Sequence, residues 1–243
     1  MRGDETKGRI KLAARRLFAE RGVDGVSIRE IVAAAGQRNV GSLHYYFRTK
    51  EALVRELIVD GAKLINEQRN ILLDELDRQG GPRSLRDIID ILIMPAVGEG
   101  VQEEDETYFR FLIMLQLNHR ELLASTVSKQ WNSGYDRCFA HIKRLLAHVP
   151  PPLLKQRMFF VTVYLSVMLA ARESRDSETE GRHPFWTRDY TMANLADTAQ
   201  ALLECGASAQ TVAALAPAPV KQKRPRRVLS GAAVSHLPRR QKA

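Results

Sequence analysis

A chain of 243 residues, 44% of them hydrophobic, is long enough to bury a sizeable core in one or two domains. Its longest nearly apolar run, Met158 to Ala171, is fourteen residues, short of the roughly 20 that span a bilayer, so a buried helix and no membrane partner are expected. The net charge of +9 is uneven, with +4 over residues 1–60, −3 over 61–216 and +8 over 217–243, which excludes an evenly basic surface and points to anionic partners at the two ends. The first residues mix both signs of charge and lack a secretory pattern, so a cytoplasmic location is expected. Cys138 and Cys205 form no paired motif; they suit a reducing compartment and read as small core residues.

In chain order, Ile10, Ala13, Ala14, Leu17 and Phe18 recur on one helical face, and Gly22 ends that helix. Ser27 and Glu30 have the spacing of a capping box. A short helix follows through Ile31, Val32 and Ala35, stopped by Gly36, because glycine accepts the left-handed C-cap conformation. Asn39 can cap a third helix, with Val40, Leu43 and Phe47 on one face. Thr49 caps a fourth, with Glu51 near its positive end. Two short helices joined by a turn and packed on a longer one make a helix-turn-helix. Beyond Leu53 the pattern stays helical, with breaks near Gly80, Pro95, Val149 and Glu180. The expected fold is all-α: a helix-turn-helix head over 1–56, a larger helical domain over 57–210, and a basic tail over 211–243 too poor in large apolar groups to order.

The stretch from Gly36 to Leu53 carries the candidate chemistry. A DNA major groove, about 12 Å wide, admits a helix whose facing residues are small. Val40, Gly41 and Ser42 meet that condition at the end of the third helix that such proteins bring to base edges. Val40 suits a thymine methyl, and Ser42 a hydrogen bond. His44, Tyr45 and Tyr46 follow on the flank, suited to phosphates, and Lys50 begins the fourth helix, another phosphate position. Arg29 is long enough to reach a guanine or the backbone. The three rings could also cover the base of a bundle; adjacent helical positions differ by about 100°, so at least one should face outward.

From Ile10 to Leu57, the patterns "A..LF...G", "S...I...AG" and "G.L.YYF..KE.L" closely resemble the DNA-binding domain of the tetracycline-repressor (TetR) family of bacterial transcriptional regulators. The resemblance implies all-α homodimers that bind a palindromic double-stranded DNA operator, usually as repressors, and leave it when a small-molecule effector occupies the larger domain. It implies base contacts from Val40, Gly41 and Ser42, with Arg29 in reach of a further one, and phosphate contacts from His44, Tyr45, Tyr46 and Lys50. Two departures stand out. One extra residue between Gly36 and Leu43 lengthens the turn and could carry Arg38 to the backbone or a base edge. Tyr46 stands where the family often has histidine.

In the second domain, the bulky residues Tyr108, Phe111, Met114, Leu115, Trp131, Tyr135, Phe139 and Tyr164 are candidate walls of an effector pocket, although each also suits ordinary core. Cys138, His141 and His148 share helical spacing, but a thiol and two surface histidines explain them better than a metal site, so no metal and no cofactor are expected. By resemblance, the segments Met158–Ala171 and Thr187–Leu203 occupy the place of the dimer interface. The acidic stretch Glu99 to Tyr108 reads as a solvated loop and helix start, and the tail as an electrostatic arm on DNA. An enzyme is the first rival reading, yet no phosphate-binding loop, nucleophile elbow or zinc-protease motif is present, and no catalytic residue is assigned. A protein-interaction module is the second; salt-sensitive, sequence-selective DNA binding separates it from a regulator.

Overall fold

Caps and glycines end the first elements where the sequence places them. In the computed structural model, which describes residues 2–97, 107–127, 131–174 and 183–215, helix α1 spans Arg2–Arg21 and stops at Gly22, whose φ is +72°. Helix α2, Ile28–Ala34, starts on a complete capping box: the Ser27 hydroxyl accepts from the Glu30 amide and the Glu30 carboxylate accepts from the Ser27 amide at 2.7 Å. Gly36, at φ +68°, turns the chain toward α3, Gly41–Phe47. Asn39 caps through its side chain, whose Oδ1 accepts from the Gly41 amide at 2.8 Å. Thr49 accepts from the Ala52 amide and opens α4, Lys50–Arg78.

The remaining described elements are helical too: α5 (Leu85–Ile93), α6 (Tyr108–Asn118), α7 (Arg120–Thr126), α8 (Ser133–Leu145), α9 (Pro151–Glu173) and α10 (Thr191–Glu204). Contacts gather Met1–Gly206 into one compact unit, so the expected boundary near residue 56 is a change of role along α4 rather than a gap in packing. A second unit begins at Ala207 and contains α11, Ala209–Leu215; helix therefore continues past the expected boundary at 210. The rest of the basic tail, and the acidic stretch before Thr107, lie outside the described residues.

Helix α9 is longer than its apolar run. At 23 residues it is long and apolar enough to cross a membrane by length and composition, a length that the fourteen-residue run understates. One face of it is packed as core, while Phe159, Phe160 and Val167 are exposed. Leu154, Val161, Leu165 and Leu169 are buried, and the buried Arg157 donates from Nη1 to the Leu203 carbonyl of α10 at 2.8 Å.

The head's core is closed by α6. Ile10, Ala14, Phe18, Ile31, Leu43, Leu53 and Val54 form one buried cluster that also contains Phe111 and Leu115. Phe18 and Phe111 are fully buried and stack with ring centres 6.1 Å apart. Helix α6 is held at its start by α9, because the Glu173 carboxylate accepts from the Phe109 and Arg110 amides at 3.0 and 2.8 Å. That bond satisfies amides with no partner inside the helix and sets a negative charge at its positive end. Substituting Phe111→Ala should lower unfolding stability by about 3–5 kcal/mol, read by urea denaturation; a loss below about 1 kcal/mol would show that the stack is not part of the folding core.

Candidate nucleic-acid interface and adjoining cavity

Lys7, Lys11 and Arg21 are taken up by internal pairing. Lys7 and Lys11 pair with Glu56 of α4, Lys11 also with Asp60, all within 2.7 Å, and Arg21 pairs with Glu30 at 2.8 Å. Arg29, Arg38 and Arg48 are exposed, and none of the three makes an ion pair among the described residues. The Ser27 hydroxyl, its amide and Arg21 together pull the Glu30 carboxyl down to about 2. A depressed carboxylate stabilises the fold fully above its ordinary value, and that contribution is lost as pH falls toward about 2. The box therefore stays intact across the neutral range.

On α3, Leu43 and Phe47 face the core. Val40 and Ser42 are half-buried, while Gly41 and His44 are exposed. Tyr45 is 81% exposed, so the expectation that at least one ring faces outward holds. Tyr46 does not share that freedom. It is half-buried and packs on the head's core, edge-on to Tyr45 at 5.0 Å, with its hydroxyl end beside Gly3 of α1. The His44 ring nitrogen Nδ1 lies 2.8 Å from the Arg48 carbonyl. Arg48 has φ +60°, an uncommon conformation for a residue with a Cβ. It was not singled out in the sequence, because its cost is visible only in the backbone.

The Lys50 side chain, expected at a phosphate, is engaged within the head. Its Nζ donates to the carbonyls of Val23 and Val26, both at 2.8 Å, and so ties the first turn of α4 to the α1–α2 connection. The Lys50 ammonium therefore positions the recognition elements from behind.

Of the eight candidate pocket residues, only part share a cavity. A cavity of about 270 Å³ lies between α4, α6, α8 and α9 and is walled by Tyr108, Trp131 and Tyr135. Phe139 instead lines a separate outer groove between α8 and the start of α9, to which Tyr135 also contributes. Phe111 and Leu115 belong to the head's core, and the Met114 methyl lies against Gly22. Tyr164 bonds Thr198 and braces α9 on α10. The reason is helical geometry: α6 buries one stripe against the head and turns Phe109, Leu112, Ile113 and Gln116 to the cavity. Selecting the bulkiest residues mixed the two faces. Arg69 was missed as well, although its place on the stripe of Ala62 and Ile65, also cavity residues, could have flagged an arginine among apolar neighbours.

Cys138 is buried, and burial pushes its thiol up to about 11, which makes it a packing residue. Burial likewise pushes the Tyr135 phenol up to about 12. Both groups stay protonated in neutral solution. The Tyr108 hydroxyl donates to the Ile58 carbonyl of α4 at 3.1 Å.

A helix-turn-helix with small residues at the start of its second helix, backed by a helical body with an internal cavity, defines a DNA-binding regulator of the all-α class. Residues 10–57 match the model of bacterial regulatory proteins of the tetR family, so the head is a DNA-binding domain of that type. No curated protein matches the sequence. Among solved structures, a transcriptional regulator from Rhodococcus sp. Rha1 is similar at 15% identity, with a TM-score of 0.51 over 81% of this chain and 95% of that one. Native NalD, the secondary repressor of the MexAB-OprM multidrug efflux pump in Pseudomonas aeruginosa, is 21% identical with a TM-score of 0.46, over 83% of this chain and 94% of that one. At these identities the first likeness concerns the fold.

Replacing Lys50 by Met keeps the stem and removes two charge-assisted bonds. Stability should fall by about 1.5–3 kcal/mol while the dependence of DNA affinity on salt keeps its slope. A slope reduced by about one with stability unchanged would return Lys50 to a phosphate.

Proposed function

We propose that this protein is a bacterial repressor that binds a palindromic operator as a homodimer in the cytoplasm and is released when a small molecule fills the cavity. The observation that carries the reading is the small-residue start of α3, where the exposed Gly41 stands between the half-buried Val40 and Ser42 and is followed by the exposed His44 and Tyr45. Base contacts are assigned to Val40, Gly41, Ser42 and Arg29, and backbone contacts to Arg38, His44 and Tyr45, with Tyr46 and Lys50 supporting from behind.

The release step is supported by shared residues. Tyr108, Leu123 and Val127 line the cavity and also pack on the head's core. The same α4 holds the head through Leu53, Val54, Leu57 and Ile58 and walls the cavity through Ala62, Ile65 and Arg69. A ligand that favours one arrangement of these walls favours one placement of the head, and the coupling is reciprocal.

The dimer is supported by one face of α9 and α10. Phe160, Tyr164, Val167 and Ala171 follow the i, i+4, i+7, i+11 stripe of one helical face. Phe160 is 54% exposed, and the Tyr164–Thr198 bond joins this stripe to the exposed Asn194, Thr198 and Ala201 of α10. An apolar stripe beside small residues permits close approach of a second copy, and two recognition helices then fall about 34–36 Å apart.

Selection of bound sequences from random duplexes should return a two-fold symmetric site. An Arg38→Ala protein should then lose about one unit of salt slope or relax one base position. Recovery of an asymmetric site, or of none, sinks the operator reading. Phe160→Glu should shift the protein from dimer to monomer at micromolar concentration in sedimentation, and an unshifted dimer places the interface elsewhere.

A further inference from the structure

Among the described residues lining the cavity, Arg69 is the only charged one. It is 9% exposed. Its stem runs over Gly134 of α8, where a Cβ would stand 3.2 Å from the Arg69 Cβ and Cγ. The guanidinium lies 5.5 Å from the centre of the Tyr135 ring, itself part of the wall. Nη2 donates to the Leu92 carbonyl over a long 3.3 Å. Nε is buried with no partner at all.

Burial is the largest influence on this guanidinium, and it works against the charge; the groups that favour it are the neutral Cys138 thiol and Tyr135 phenol. An arginine cannot escape the penalty by giving up its proton. A buried charge without a counter-charge is strongly unfavourable, and replacing it by an apolar residue of similar volume commonly stabilises a fold. Among the described residues no carboxylate faces this guanidinium, and the cavity is the space from which an anion can reach it.

We propose that the effector is a small amphipathic carboxylate whose carboxylate pairs with Arg69 while its apolar body lies against Leu112, Trp131 and Leu165. The inference rests on the reading that this cavity takes the effector, and it adds the chemical class. A guanidinium fork matches a carboxylate in plane and spacing. A phosphate monoester would bring a second negative charge, and the described lining holds no second cation. The volume of about 270 Å³ lies near the lower end of small-molecule sites, roughly 300–1,000 Å³, a size that suits an aromatic or short-chain acid. Gln116, Asn132 and Ser166 offer hydrogen bonds to one further polar group.

The test uses the full chain without DNA. Benzoate, phenylacetate and hexanoate are titrated by calorimetry and thermal shift, beside benzamide, phenylacetamide and hexanamide, on the wild-type protein and on Arg69→Met. At least one acid should bind saturably and about tenfold or more tighter than its amide. Arg69→Met should abolish that preference and raise the ligand-free Tm. The acid-to-amide ratio on the wild-type protein stands whether or not the variant folds.

Equal affinity for acid and amide overturns the proposal, as does an absence of binding by all three acids at millimolar concentration. A variant that keeps the acid preference while losing stability also overturns it, because Arg69 is then structural. Operator selection is a separate readout. Acids that bind a protein for which no operator can be selected leave this site standing and remove the repressor reading instead.

Discussion

The stacking of Phe18 on Phe111 is the constraint on which the remaining arrangement depends. One longer and two short helices bury too little surface to make a stable core alone, and this head recruits a ring and a leucine from α6 to complete its own. Two rings of the same core cannot move independently without opening a void, and close-packed interiors resist voids. The placements of α6 and α1 are therefore interdependent. Helix α1 is in turn fastened to α4 by the Lys7, Lys11, Glu56 and Asp60 cluster.

The cavity sits on the other side of the same helix. Because side chains on α6 divide between two faces, the element that seals the head is also a wall of the cavity, and Glu173 of α9 fixes its start. A third helix takes part through Arg55, whose guanidinium donates to Thr126 at 2.8 Å and ties α7 to α4. No long wire of residues is needed between head and cavity. They share walls.

The head was legible from sequence because its signals are local. Ser27 with Glu30, Asn39, Thr49, Gly22 and Gly36 each set a backbone conformation within a few residues, and each does so in the fold. What failed to show depends on partners far along the chain. Lys50 reads as a free cation until the Val23 and Val26 carbonyls, more than twenty residues away, come within 2.8 Å. Tyr108 and Phe111 look alike on a helical pattern, yet only the packing of α6 decides which meets the head's core alone and which also meets the cavity. Arg69 shows the opposite case. An arginine on an apolar stripe breaks the local rule, and such breaks fall where function overrides stability.

Gly61 is the single glycine of the 29-residue α4, and the Tyr108 ring occupies the place where its Cβ would stand, 2.1 Å from Cε2. Glycine in a helix interior costs about 1 kcal/mol relative to alanine, so the ring imposes a soft spot on the longest of the described helices. That spot falls between Ile58, the last buried residue that holds the head, and Ala62, the first that walls the cavity. Bending compliance in α4 is thus concentrated at one joint, and the residue that bears on the joint is itself exposed to whatever enters the cavity.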